Sequence, residues 1–229
     1  MDNVASSTAT AGQVGYPARS ARPAQRRPDT RWVVTALLVL GIIPTVLGIA
    51  HLATVVAGMD VSDKALYFLA SPVPIGLHVA GAALYVLLGP LQFAAGFRRR
   101  APHWHRVAGR LLVISGLLVA LSALWMTLTL PHRPGDGDIL FAARLVFGSV
   151  MIAALTLGFV AIRRGDVPSH RRWMTRAYAI GLGAGTQVPV LMLAEIIAGH
   201  PDDLRRAVLM GGAWVVNLAV AEWLVRRRQ

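Results

Sequence analysis

Residues 98–130, RRRAPHWHRVAGRLLVISGLLVALSALWMTLTL, decide the fold. An arginine cluster leads into an apolar stretch, Ala108 to Leu130, that carries no charge after Arg110. At 1.5 Å per residue, about twenty apolar residues cross a hydrocarbon core of about 30 Å. Five more stretches of that kind follow one another along the chain: Trp32 to Gly58, Pro72 to Phe97, Ile139 to Ile162, Met174 to Ala198 and Ala207 to Val225. The sequence therefore predicts an all-α membrane protein with six transmembrane helices.

The connections between the stretches alternate in charge. Arg19, Arg22, Arg26, Arg27 and Arg31 precede the first; Arg98, Arg99, Arg100, Arg106 and Arg110 join the second to the third. Arg163, Arg164, Arg171, Arg172 and Arg176 join the fourth to the fifth, and Arg226 to Arg228 follow the last. The intervening connections hold Asp60, Asp63 and Lys64, then Arg133, Asp136 and Asp138, then Asp202, Asp203, Arg205 and Arg206. Of the 23 Lys and Arg residues, 18 fall on one side, 4 on the other and one, Arg144, inside a stretch. The positive-inside rule then places both termini in the cytoplasm. A net charge of +12 is accounted for in the same way. Arginines at helix ends meet phosphate headgroups and the anionic lipid of the cytoplasmic face, and no aromatic-interleaved basic face points to nucleic acid.

The chain has no cysteine, which removes disulfides, thiolate metal sites, a cysteine nucleophile and covalent c-type haem attachment. Residues 1–31, rich in Ala, Ser, Thr, Pro and Arg without apolar periodicity, read as a disordered basic cytoplasmic tail. Residues 32–225 form the six-span domain and 226–229 a short basic tail. Trp32 to Gly58 is too long and too far from the start for a cleaved signal peptide. With short loops there is no room for a soluble catalytic domain, so any chemistry lies between the helices.

Polar residues inside the spans mark where to look. On the second helix, His78, Gly81, Ala82, Tyr85, Gly89, Gln92 and Gly96 share one small, polar, inward face. The first helix carries a matching stripe of Gly41, Pro44, Gly48 and His51. His51 and His78 each lie about 10 Å from the outer end, at a common depth. His103, His132 and His200 read as loop residues.

Two hairpins repeat one order of signals. Arg98 to Arg100, His105-Arg106 and Gly109-Arg110 join one pair of spans; Arg163-Arg164, His170-Arg171-Arg172 and Arg176 join the other. The expectation is a four-helix core of two parallel-repeat hairpins, with the first and sixth helices peripheral. His105 and His170 then occupy equivalent places, whereas His78 has Ala143-Arg144 as its counterpart.

These motifs resemble the bacterial predicted membrane proteins of domain of unknown function 2306. The resemblance rests on His78, Gly89-Pro90-Leu91-Gln92-Phe93, His105-Arg106, Gly109-Arg110, His170-Arg171-Arg172-Trp173-Met174, Arg176, Tyr178, Trp214, Asn217 and Ala221-Glu222-Trp223. It covers about residues 70–225 and implies a six-helix layout in a bacterial plasma membrane. The chain departs from the family pattern at Val107 and Leu111-Leu112, where aromatics are usual, and at Gln187, where an arginine is usual.

Three readings of function follow. In the first, the protein carries electrons on b-type haem, which needs axial imidazoles, a small-residue face for the macrocycle and cations for the propionates. His105 and His170 form one axial pair, with Arg106, Arg110, Arg171 and Arg176 beside it; His78 and His51 form the other, near Arg144. Gly89 and Gly181-Leu182-Gly183-Ala184-Gly185 give clearance. In the second, a small-molecule or proton-coupled transporter uses Arg144, Gln187, Glu195, Asn217 and Glu222, with Arg144 and Glu195 expected to pair and Pro189 to free a carbonyl toward a cavity. The third is a non-catalytic membrane assembly protein, in which the histidines are interfacial anchors or interhelical hydrogen-bonding groups.

Overall fold

A computed structural model describes residues 31–59, 69–131 and 136–227. The tail of residues 1–30, Asp60, Asp63, Lys64, His132, Arg133 and Arg228 lie outside the described residues. The described elements are helical, with no strand among them: α1 (Arg31–Val56), α2 (Pro72–Phe93), α3 (Ala95–Arg100), α4 (Pro102–Thr129), α5 (Asp138–Arg163), α6 (Val167–Gly181), α7 (Gly183–Ala198) and α8 (Asp203–Arg226). Six spans result, α6 and α7 together making one of 32 residues. Prolines open α2, α4 and α6, where a missing N–H leaves no bond unmade. Asp166 and Asp202 cap α6 and α8 by accepting from the N–H groups of Ser169 and Arg205, at 2.9 and 2.8 Å.

The fully buried apolar cluster comes from four spans: Tyr85 and Val86 of α2, Leu112, Val119 and Ala120 of α4, Met151, Ala154 and Leu155 of α5, and Ala177, Tyr178 and Ile180 of α6 with Leu182. Leu37 and Leu40 of α1 and Trp214 and Leu218 of α8 pack on its rim. α2 runs along α4 and α5 along α6, α4 and α5 join the two pairs, α1 leans on α2 and α7, and α8 leans on α5, α6 and α7. Large apolar side chains such as Val46, Leu121, Ile196 and Val216 face outward, as a lipid-facing surface demands.

Two interruptions of the helical ladder differ from the expected spans. The second span ends at Phe93, not Phe97, because the chain bends at Ala94. Gly96 therefore leaves the α2 face and stands on the separate α3, with open space beside it. Pro90 removes the N–H that would bond Val86 O. The Tyr178 hydroxyl donates to that carbonyl instead, at 3.3 Å, and Gly89 leaves room for the Tyr178 ring. The second interruption is at Leu182, between α6 and α7. There Asn217 Nδ2 donates to Ala179 O and Trp214 Nε1 to Ile180 O, both at 3.2 Å. Asn217 also donates to Thr186 Oγ1 at 3.1 Å.

Candidate functional site

A cavity of about 430 Å³ opens in the half of the bundle away from the arginine clusters, and all six spans contribute to its wall. Most of the wall is apolar: Ile75, Val86, Val119, Met126, Phe147, Met151, Ile180 and Trp214, with Gly48 and Gly148 where the backbone comes close. Phe147 stacks on Trp214 with ring centroids 4.8 Å apart. The polar exceptions are His78, Thr45, Thr127, Gln187 and the pair Asp136 and Arg144.

Each exception has a definite hydrogen-bonding state. His78 Nδ1 lies 3.1 Å from Val119 O and 3.2 Å from Ser122 Oγ. A carbonyl only accepts, so the Nδ1 proton is donated there and the neutral ring keeps its lone pair on Nε2. Ser122 in turn donates to Leu118 O at 2.6 Å. Thr45 and Thr127 donate to Gly41 O and Ala123 O, both at 2.7 Å. Gln187, buried, donates from Nε2 to Met210 O at 3.1 Å, which leaves its amide oxygen as an acceptor.

Arg144 corrects the expected charge pairing. Its partner is Asp136, through NH1 at 2.8 Å and NH2 at 3.0 Å, while Glu195 pairs with exposed His200 at 3.1 Å. Asp136 is only 6% exposed, and Arg206 Nε approaches it at 3.4 Å. Sequence reasoning counted Asp136 as a loop charge and so missed it. The available signal was a carboxylate eight residues before the intramembrane arginine, at the mouth of the same helix. His51 is half-buried on α1 and lies outside the cavity wall, so His78 is the one histidine lining it among the described residues.

At the arginine-rich end, His105 lies within electrostatic reach of His170, Arg98, Arg106 and Arg171. His170 Nδ1 donates to Gly158 O at 2.9 Å. His105 Nδ1 and Gln92 Nε2 are buried and have no hydrogen-bond partner among the described residues. Arg106 and Arg110 are exposed. Arg176, expected beside propionates, is instead held by Glu222, Nε to Oε1 at 2.7 Å and NH2 to Oε2 at 3.2 Å, with Trp173 beneath it at 4.7 Å.

The glycines expected to give a macrocycle clearance are occupied. Tyr178 fills the space over Gly89, Tyr85 that over Gly181, and Trp214 that over Gly183. At Gly185, an added Cβ would lie 2.8 Å from Leu40 O, the carbonyl that Pro44 leaves without its helical partner. The small residues thus serve helix and ring packing. Pro189 removes the N–H that would bond Gly185 O, and Gly185 lines the cavity beside Gln187; the carbonyls taken up by α8 are those at the Leu182 break.

No curated protein and no solved structure matches the chain. The family model described as Predicted membrane protein (DUF2306) matches residues 75–225. That range holds nearly all of α2 and α8 and the whole of α3 to α7, including His78, Gln187, the Asp136–Arg144 pair and both interruptions with the side chains that repair them. This chain belongs to that family of membrane proteins.

Proposed function

We propose that this protein binds a small, largely apolar molecule within the membrane, as the site of a small-molecule transporter. One observation carries the reading. The donors of His78, Thr45, Thr127 and Trp214 and one N–H of the Gln187 amide are directed at backbone carbonyls, so the cavity offers mainly acceptors, His78 Nε2 and the Gln187 oxygen foremost. Arg144 is already paired with Asp136. A matching ligand brings an apolar body and its own hydroxyl or amine donor, because a buried acceptor left unmatched is unfavourable. The test uses two probes of nearly equal shape, 1-naphthol and 1-methylnaphthalene, with thermal unfolding of the detergent-purified protein as readout. The naphthol should raise the midpoint more, and the difference should vanish in His78→Leu combined with Gln187→Leu. Equal shifts in the wild type, or a naphthol advantage that survives both substitutions, would refute the reading.

The arginine-rich end is the cytoplasmic one in this reading, against anionic lipid in the plasma membrane of a bacterium. A second reading places b-type haem at that end. One observation favours it: His105 stands beside His170, and His170 has its Nδ1 tied to a carbonyl, the arrangement that presents Nε2 to a metal. Its test is a reduced-minus-oxidised spectrum of protein expressed with haem supply, compared with His170→Ala. A b-type spectrum absent from the variant supports haem; a flat wild-type spectrum removes it.

A further inference from the structure

One side of the cavity wall is built by α7 and the first half of α8, and these parts form one body. Gln187 of α7 donates to Met210 O of α8 at 3.1 Å, and Arg205 of α8 donates to Ala198 O and Ala194 O, both at 3.2 Å. Each helix has a weak point at the inner limit of that body. α7 starts at the Leu182 break, between Gly181 and Gly183, and α8 carries the pair Gly211-Gly212, beside which an added Cβ would touch nothing. Glycine pairs are places where helices bend. Inward of both points the chain is anchored, because Trp214 and Asn217 donate to Ile180 O and Ala179 O and Phe147 stacks on Trp214. The bond from Asn217 to Thr186 falls in the first turn beyond the break.

At its far edge the same body meets the approach to α5. An added Cβ on Gly137 would lie 3.2 Å from Asp203 Cβ, and Arg206 Nε stands 3.4 Å from Asp136 Oδ1. Two bonds from Arg144 hold Asp136 on the α5 side, whereas Arg206 Nε is buried and completes no hydrogen bond. The contact with Arg206 is therefore the weaker one and separates first. Asp136 and Arg144 line the cavity, while Arg206 stands behind them.

We propose that residues 183–212 are a hinged gate over the cavity, turning at Leu182 and Gly211-Gly212, with Arg206 and Asp136 as its latch. The inference rests on the reading of the cavity as a ligand site and adds how that site opens. Release of Arg206 frees the edge, and Gln187 travels with the gate, so opening also withdraws its amide oxygen from the ligand. Asp136 stays with Arg144, which keeps that guanidinium paired in both states.

The chain has no cysteine, so introduced thiols report without background. Ala123, in the cavity wall on α4, is changed to cysteine, and its reaction rate with the anionic reagent (2-sulfonatoethyl) methanethiosulfonate is measured in detergent. Adding Arg206→Gln should raise that rate about tenfold by shifting the gate toward its open state. Adding Arg205→Gln instead should leave it unchanged, because the bonds of Arg205 lie inside the moving body. Loss of a positive charge alone would slow an anionic reagent, so acceleration isolates the opening. In a second arm, Gly137→Cys with Asp203→Cys places two thiols near the Cβ separation of a disulfide. Oxidation should slow association of 1-naphthol about tenfold, read by quenching of tryptophan fluorescence, and reduction should restore it. An unchanged thiol rate in Arg206→Gln, an equal rise in Arg205→Gln, or naphthol association indifferent to the cross-link would overturn the gate. Failure of 1-naphthol to outbind 1-methylnaphthalene would instead refute the ligand reading, and the thiol rates would still decide the gate.

Discussion

The two hairpins carry the same order of arginine and histidine signals, yet they handle polar interruptions differently. In the first, the break comes at the end of α2, and Tyr178 from the other hairpin takes up Val86 O. In the second, it comes inside the return span at Leu182, and α8 takes up two carbonyls through Trp214 and Asn217. Their buried polar groups differ as well. The first hairpin inserts a histidine that a carbonyl of α4 satisfies; the second inserts an arginine that requires the carboxylate of Asp136. An imidazole can be accommodated by backbone alone, whereas a guanidinium needs a counter-charge, so only the second hairpin draws an acid into the bundle. The last helix is therefore integral to the second hairpin, while the first hairpin has its repair supplied from inside the core.

The Asp136 pair gives the largest expected effect. Asp136→Ala leaves Arg144 half-buried without its partner and should destabilise the protein by about 3 kcal/mol in mixed-micelle denaturation. Arg144→Met combined with Asp136→Leu should recover most of that loss, because two apolar groups replace a desolvated pair. If the single variant unfolds like wild type, the asymmetry in charge between the hairpins has no energetic content. His78→Leu, the corresponding change in the first hairpin, should cost less, about 1 kcal/mol, since it removes one cross-helix hydrogen bond from a neutral group.

Next in size is Gly183→Ala. The added methyl meets the Trp214 indole, so the expected loss is about 2 kcal/mol, within the usual range for overpacking. Trp214→Phe and Asn217→Leu should each cost about 1 kcal/mol by freeing a carbonyl at the Leu182 break. Hydrogen exchange sharpens the point: amides of residues 183–187 should lose protection in both variants, while those around Pro90 should not. Loss of protection at both breaks together would mean that the two repairs act as one unit.

Much of this architecture could be read in the sequence, and the parts that could not have a common cause. Apolar length and arginine placement depend on residues near each other in the chain, so the six spans and the two hairpins were legible. The inward face of α2 was legible as far as Gln92 for the same reason. Partner choice is a tertiary property. Glu195 and Arg144 have similar depths in a linear reading, but depth does not say which helices adjoin, and Asp136 wins by being on the same helix mouth. The glycines show the same limit. Small residues at helical spacing announce close approach, yet whether a cofactor or a tyrosine approaches depends on the neighbouring helix, and here Tyr85, Tyr178 and Trp214 take the space.

Tyr178 permits the finest division of the comparison, because its ring and its hydroxyl act on adjacent residues of α2. The ring sits over Gly89 and packs edge-on against Phe93 at 5.2 Å and tilted against Tyr85 at 5.7 Å. The hydroxyl meets Val86 O at 3.3 Å, long for an O–H donor, so Tyr178→Phe should cost only about 0.5 kcal/mol. Gly89→Ala removes the space for the ring while leaving the hydroxyl chemically intact, and should cost about 2 kcal/mol. If the Val86 carbonyl freed by Pro90 needs its donor, Tyr178→Phe should selectively raise exchange of amides just after the Ala94 bend, with α6 unchanged. If exchange rises in α6 instead, the hydroxyl orients its own helix, and the repair of α2 lies in the ring contact alone.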